Sequence, residues 1–345
     1  MDSLAVMGLF GRRKARAEAA ALTSALVLDR CWDDIALDFG VDAVREGHRK
    51  AALALLRECR DDHELRTQRV RALAEAASGQ TAEIKELVTE DSGPAEAADV
   101  LLWLGSTLIA EAWQIRGGGW ARTVGDDRFT LFRSRLREAR DPLMAAARLA
   151  PADATPWVEL QRYARGMRLD RAQRDMVWVE AMQRCPTSYP AHAGRLQTLA
   201  AKWGGSHDDM FGFARDTVAK SPPGSPLVAM LPTAHAEYLL KEGDRFVAEG
   251  SAWSYVRLNA RYFGPTVRGE LIEADDKSRG TRAGSYAMEI HNLFGWAMLE
   301  SGEDTRARWH LAQVGNRPST LPWAYNGEHA FARALVRLGL TGEQG

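Results

Sequence analysis

Apolar positions recur along this chain at the three- and four-residue spacings of amphipathic helices, and convincing strand-like alternation is absent. Val44, His48, Ala51, Leu55 and Cys59 share one helical stripe, and Leu101, Leu104, Gly105, Leu108 and Ala112 share another. A third stripe, Phe132, Leu136, Ala139, Leu143, Ala146 and Ala150, runs through Pro142 and predicts a long helix kinked at that residue. The pattern predicts an all-α chain.

Proline pairs punctuate the pattern. Pro151 and Pro156, Pro186 and Pro190, Pro222 and Pro226, and Pro318 and Pro322 form one recurring phrase; the first three copies start 35 and 36 residues apart and the fourth 96 further on. The first proline ends a helix, and the second suits the first turn of the next, where its missing N–H forfeits no internal bond. Thr155 and Ser225 stand before that second proline as expected N-caps. A helix pair repeating near this length predicts a tetratricopeptide-like (TPR-like) α-solenoid of antiparallel helix pairs, in which each unit buries its apolar face against the next. The expected organisation is a tail over 1–20, a helical region over 21–120 and repeats over 121–345, the last two continuous as one superhelix.

The stretch Ala201–Ala214 concentrates glycine, tryptophan, histidine and aspartate. It reads as a corner inside one repeat. A helix from about Ala191 reaches Lys202 and Trp203, Gly204 and Gly205 stop it in left-handed backbone, and Ser206 with Asp209 forms a capping box for the next helix. Met210, Phe213, Ala214 and Val218 are the buried side of that helix, and His207 and Asp208 are left over as polar contacts.

Four segments together resemble a family of uncharacterised actinobacterial tetratricopeptide-like proteins: Ala112–Gly119, Leu149–Trp157, Lys202–His207 with its Lys-Trp-Gly-Gly-Ser run, and Pro222–Leu227. The resemblance spans residues 40–330. It implies a helical-repeat fold and carries over no catalytic residue.

Composition narrows the function classes. The charge balance of 45 basic and 46 acidic residues, net −1, gives no whole-molecule attraction to nucleic acid, and none is expected as a partner. Only seven basic residues are lysine, so arginine abundance alone argues nothing about phosphate. Cys31, Cys59 and Cys185, odd in number and widely spaced, fit a reducing cytoplasm better than a disulfide framework. No window is apolar enough to predict a membrane span.

Catalytic motifs fail on their own terms. His235-Ala236-Glu237 imitates half of a zinc deaminase signature, but no cysteine follows Cys185 to complete it. The remaining histidines offer no metal-binding spacing, and Gly-x-Ser-x-Gly and P-loop patterns are absent. Neither a metal nor a cofactor is expected. The aspartate pairs at 33–34, 61–62, 126–127, 208–209 and 275–276 sit where helices are expected to begin and read as caps.

What survives is a binding surface. Between Arg128 and Arg174 there are eleven arginines against five acids, and Arg133, Arg137 and Arg140 share one helical face. Arg116 heads a glycine run that could cradle an anion, and Trp113 is a candidate aromatic anchor. The leading expectation is a non-catalytic binding or scaffold protein that holds a peptide or protein partner, acidic in character, in its concave groove through Trp113, Arg116, Arg133, Arg137, Arg140, His207 and Asp208. The alternative is an enzyme or small-molecule binder with a pocket closed around His235, His291 and Asn292, which requires such groups to converge on one cavity. Self-association is a third possibility, through the apolar C-terminal helix of Ala330, Phe331, Ala334, Leu335 and Leu338.

Overall fold

The computed structural model describes residues 17–117, 125–280, 284–327 and 329–341, and among these it contains helices and no strand. The chain divides into two compact units, Asp34–Ser206 and a second made of Met1–Asp33 with His207–Gly345. The junction expected at 120/121 and residues 1–16 of the expected tail lie outside the described residues; residues 17–23 are helical, with Ala19 buried.

The Asp34–Ser206 unit holds α1 (Ile35–Arg45), α2 (Lys50–Glu58), α3 (His63–Ala76), α4 (Thr81–Lys85), α5 (Pro94–Arg116), α6 (Asp126–Leu149), α7 (Thr155–Met167), α8 (Arg171–Arg184) and α9 (Tyr189–Leu199). Its centre is α5, buried almost continuously from Ala97 to Ala112 and packed against α2, α3, α4, α6 and α7. Helix α6 lies closest because α5 presents Gly105: a Cβ there would stand 2.5 Å from Leu143 Cγ. Phe132, Leu136, Ala139, Leu143 and Ala146 of α6 are all buried, as their stripe predicts, and the helix continues through Pro142.

The stripe from Val44 to Cys59 is not one helix. Gly47, at φ +88°, breaks it, so Val44 closes α1 and Leu55 belongs to α2. The helix before the corner also stops earlier than expected. Ala200 turns extended, at φ −66° and ψ 142°, which ends α9 at Leu199, and Ala201–Trp203 follow as a separate 3-10 turn closed by Gly204 at φ +88°. Gly205 serves by lacking a side chain, since a Cβ would meet Leu199 O at 2.0 Å. Just after the corner the chain passes from one compact unit to the other, at Ser206 and His207.

A buried ion network ties the first unit together. Arg66 of α3, only 2% exposed, donates from Nη2 to Asp99 Oδ1 of α5 at 2.6 Å and from Nε to Asp153 Oδ2, in the α6–α7 turn, at 2.7 Å. Its third donor, Nη1, reaches Leu56 O at 2.8 Å. Glu159 of α7, fully buried, accepts from Arg71 Nε at 2.7 Å and Arg162 Nη1 at 3.0 Å. The network also displaces an expected cap: with Asp153 held in place, its Oδ1 takes the Thr155 N–H at 2.8 Å, and Thr155 becomes the first residue of α7 instead of its cap. Ser225 does cap the 3-10 turn after it, through Leu227 N.

The second unit contains α10 (His207–Lys220), α11 (Met230–Ala248), α12 (Ala252–Arg261), α13 (Pro265–Ser278), α14 (Ala287–Glu300), α15 (Asp304–Val314) and α16 (Ala330–Leu338). Its N-terminal strip is bonded to its C-terminal part: Val27 donates to Asn316 O at 2.8 Å and Arg317 Nε to Arg30 O at 2.9 Å. The apolar face of α16 is buried within this unit, where Phe331 meets Trp323 edge-on at 5.1 Å. No helix among the described residues is long and apolar enough to cross a membrane.

Burial raises the carboxyl pKa values of Asp153 and Glu159, but their cationic partners outweigh it and hold both below the usual range. A depressed folded pKa contributes stability that is complete above the unfolded value, about 4, and is lost as pH falls through the folded one. Thermal melts should therefore be constant from pH 8 to about 7, decline below about pH 6.5 because His235 and His291, held at about 4 in the fold, take up protons on unfolding, and fall more steeply below about pH 4.5. Asp153→Asn should flatten that last limb. Arg66→Met strands Asp153 and weakens the hold on Asp99; denaturant titration at pH 7 should show a loss of about 3 to 5 kcal/mol.

Candidate anion-binding site

Three helix ends of the Asp34–Ser206 unit bring arginine and tryptophan together. Arg116 lies in the last turn of α5, Arg165 in the last turn of α7, and Arg168 caps α7 in left-handed backbone at φ 53°. Cations suit these positions because the exposed carbonyls of a helix C-terminus are partially negative. The 3-10 turn after α9 sets Trp203 edge-on to Trp113, with centroids 5.4 Å apart, and Phe132 closes the far side of Trp113 at 5.2 Å.

Two guanidinium groups lie over this ring pair. Arg116 Cζ stands 5.5 Å from Trp113 and 5.1 Å from Trp203, and Arg165 Cζ stands 5.3 and 5.4 Å from the same rings. Arg116 Nη1 donates to Gly117 O at 3.0 Å, and Arg128 Nε to Ile115 O at 3.0 Å. Among the described residues no ion pair joins Arg116, Arg128 or Arg168 to a carboxylate. Burial, followed by the charge of Arg168, lowers the Arg116 pKa. The indole nitrogens of Trp113 and Trp203 are buried and have no acceptor among the described residues. The arrangement thus combines positive charge with unmatched donors, which an oxyanion would complete. Gly118 and Gly119 of the glycine run lie outside the described residues; by sequence, segment 118–124 carries Arg122 and no acid.

The other expected contacts are distributed differently. Arg133, Arg137 and Arg140 are exposed on the outer face of α6, and Arg140 makes a 3.5 Å contact to Asp141. Arg135 of the same helix is instead drawn inward to Glu111 Oε2, Glu138 Oε2 and Thr81 Oγ1. His207 and Asp208 belong to the second unit. Asp208 is exposed in the first turn of α10, and His207 Nε2 lies 3.2 Å from Glu242 Oε1, with its ring 4.7 Å from Tyr238.

The three residues expected around a closed pocket have separate partners. His235, 1% exposed, is hydrogen-bonded through Nδ1 to the Tyr262 hydroxyl at 2.6 Å, and burial lowers its pKa to about 4. Asn292, wholly buried, donates to Ser319 Oγ at 2.6 Å and Leu321 O at 2.9 Å and accepts from Trp323 Nε1 at 2.8 Å. His291 faces α15, where its Nδ1 is 2.9 Å from His310 Nδ1. Adjacent helical residues point about 100° apart, so His291 and Asn292 serve different surfaces.

His310 carries no sequence signal of a site, and Asp275 is expected from sequence only as half of a helix-capping aspartate pair. Asp275 Oδ1 lies 2.5 Å from His310 Nε2. The expectation that every aspartate pair opens a helix fails here, because Asp275 and Asp276 lie in the last turn of α13. An acid at that end opposes the helix dipole and needs compensation; Arg306 supplies a cation and His310 a ring N–H donor. Among the described residues no group of three or more His, Cys, Asp or Glu is placed to hold a metal ion.

A hollow of about 350 Å³ in the first unit is lined by Arg60, His63, Arg66, Asp99, Pro151 and Asp153 with neighbouring alanines. Its buried charged groups are matched to one another, as Arg60 Nε donates to Asp99 Oδ2 at 3.0 Å and Arg66 to Asp99 and Asp153.

Arg116→Met keeps the stem over the rings and removes a partly buried charge repelled by Arg168. Its unfolding midpoint should match or exceed the wild-type value, whereas Trp203→Ala should lose about 2 kcal/mol by removing the ring packed on Trp113. Searches of protein-family models, curated proteins and solved structures returned no match to this chain.

Proposed function

We propose that this chain is a TPR-like helical-repeat binding protein whose Asp34–Ser206 unit engages an acidic peptide or protein partner at the Trp113, Trp203 and Arg116 corner, without chemical change to that partner. The proline phrase near 35 residues and the packing of successive helices α6 on α7 and α7 on α8 support the repeat reading. The observation that carries the binding reading is Arg116, partly buried beside a second arginine over two rings whose indole N–H groups have no acceptor among the described residues, and joined to no carboxylate among those residues. A carboxylate of the partner would gain charge-assisted hydrogen bonds there while relieving the repulsion. The exposed Arg133, Arg137 and Arg140 extend positive charge along α6, where they would speed encounter more than they would hold the complex.

The reading is tested with a fluorescent oligo-glutamate peptide followed by anisotropy. Arg116→Gln should weaken binding at least tenfold, mainly through faster dissociation. The triple change of Arg133, Arg137 and Arg140 to Gln should mainly slow association and reduce its salt dependence. Unchanged affinity in Arg116→Gln, or no binding by the wild type, removes the reading.

A further inference from the structure

The chain of groups Asp275, His310 and His291 belongs to the unit that does not contain the Arg116 corner. It runs from the interior outward: Asp275 is fully buried, His310 is 1% exposed and His291 is half-buried. Arg306 pairs with Asp275, Arg279 approaches it at 3.5 Å, and Phe294 stacks on the His310 ring at 5.4 Å. Asp275 and His310 are therefore each held in orientation by something other than one another.

Hydrogen-bond direction then follows from charge. His310 and Arg306 hold the Asp275 carboxyl below its usual range against the effect of burial, so it is an acceptor only. His310 must present N–H from Nε2, which leaves Nδ1 bare, and His291 must donate to it from its own Nδ1. The lone pair of His291 is thereby fixed on Nε2, across the ring from His310. A proton taken up at Nε2 can be matched by release of the Nδ1 proton to His310, and the positive charge settles on His310 against Asp275.

We propose that Asp275, His310 and His291 form a general-base relay, with His291 Nε2 as proton acceptor, for hydrolysis of a carboxylic ester with an apolar body. Trp309, 41% exposed, meets His291 edge-on at 5.3 Å and offers the apolar platform. The Arg279 guanidinium lies over the same ring at 5.1 Å and supplies positive charge for the carbonyl oxygen. In the reaction, a water oxygen bonds to the ester carbonyl carbon as its proton passes to His291 Nε2 and the Nδ1 proton moves to His310. Negative charge builds on the carbonyl oxygen. Collapse of that intermediate breaks the bond to the alkoxide, which recovers the proton from Nε2 as the relay reverses, leaving acid and alcohol. No further reactant is consumed.

The test uses the full chain and p-nitrophenyl acetate as probe, with rates followed from pH 8 to 4. Burial and the neighbouring His310 lower the His291 pKa to about 4, so the general base is active well below neutrality. The wild type should hydrolyse the ester at least tenfold faster than His291→Gln at pH 6, with a flat profile that halves near pH 4. Arg279→Gln should lower the rate without moving that midpoint. Asp275→Asn, with helicity checked by circular dichroism, should lower the rate and shift the midpoint, because the tautomer is no longer fixed. Equal rates for wild type and His291→Gln overturn the proposal, as does a His291-dependent rate that halves near the ordinary imidazole value of about 6.5. Peptide binding is not read in this assay, so its outcome is separate from that of the Arg116 experiment.

Discussion

Arg66 is the constraint on which the Asp34–Ser206 unit depends. A guanidinium 2% exposed is tolerable only when its donors are met, and these are met by Asp99, Asp153 and the Leu56 carbonyl. The acceptors come from α5, from the α6–α7 turn and from the end of α2. One side chain therefore fixes the relation of segments nearly a hundred residues apart. Asp153 passes the constraint onward by capping the first N–H of α7. Apolar packing around α5 supplies the bulk of the burial, but apolar contacts slide readily, and the ion network admits only one register.

Two arginines of the same unit show how context decides a residue's role. Arg66 is buried and saturated with acceptors, and neighbouring charge raises its pKa despite desolvation. Arg116 is partly buried, lies over aromatic faces and sits near another cation, so burial and repulsion lower its pKa. The first arrangement is complete within the chain. The second has donors in excess of acceptors, which is the condition a binding site for an anion requires.

The second unit places imidazoles in two kinds of setting. Along α10 and α11, His207, Phe211 and Arg215 face Glu242, Tyr238 and His235, with Arg215 paired to Glu270 at 2.6 Å. These contacts interlock the two helices by shape and aromatic edges. Around α15 the histidines instead form a directional chain anchored by a carboxylate at the unfavourable end of α13. The aspartate pair was visible in the sequence, but its placement at a helix C-terminus, which gives it chemical meaning, was not.

The sequence by itself determined the helical class, the α5 and α6 stripes and the proline-marked helix starts, because these depend on residues within a turn or two of one another. It also showed the exposed face of Arg133, Arg137 and Arg140, since a face is a matter of spacing. It misplaced the break at Gly47, the end of α9 and the cap at Thr155, where one backbone angle or a distant side chain overrode local preference. The partners of Trp113, His235 and His291 were beyond its reach. Trp203, Tyr262 and His310 lie 90, 27 and 19 residues away from them along the chain. Only tertiary structure brought those pairs together, because contact energies act through space and leave no periodic mark on the chain.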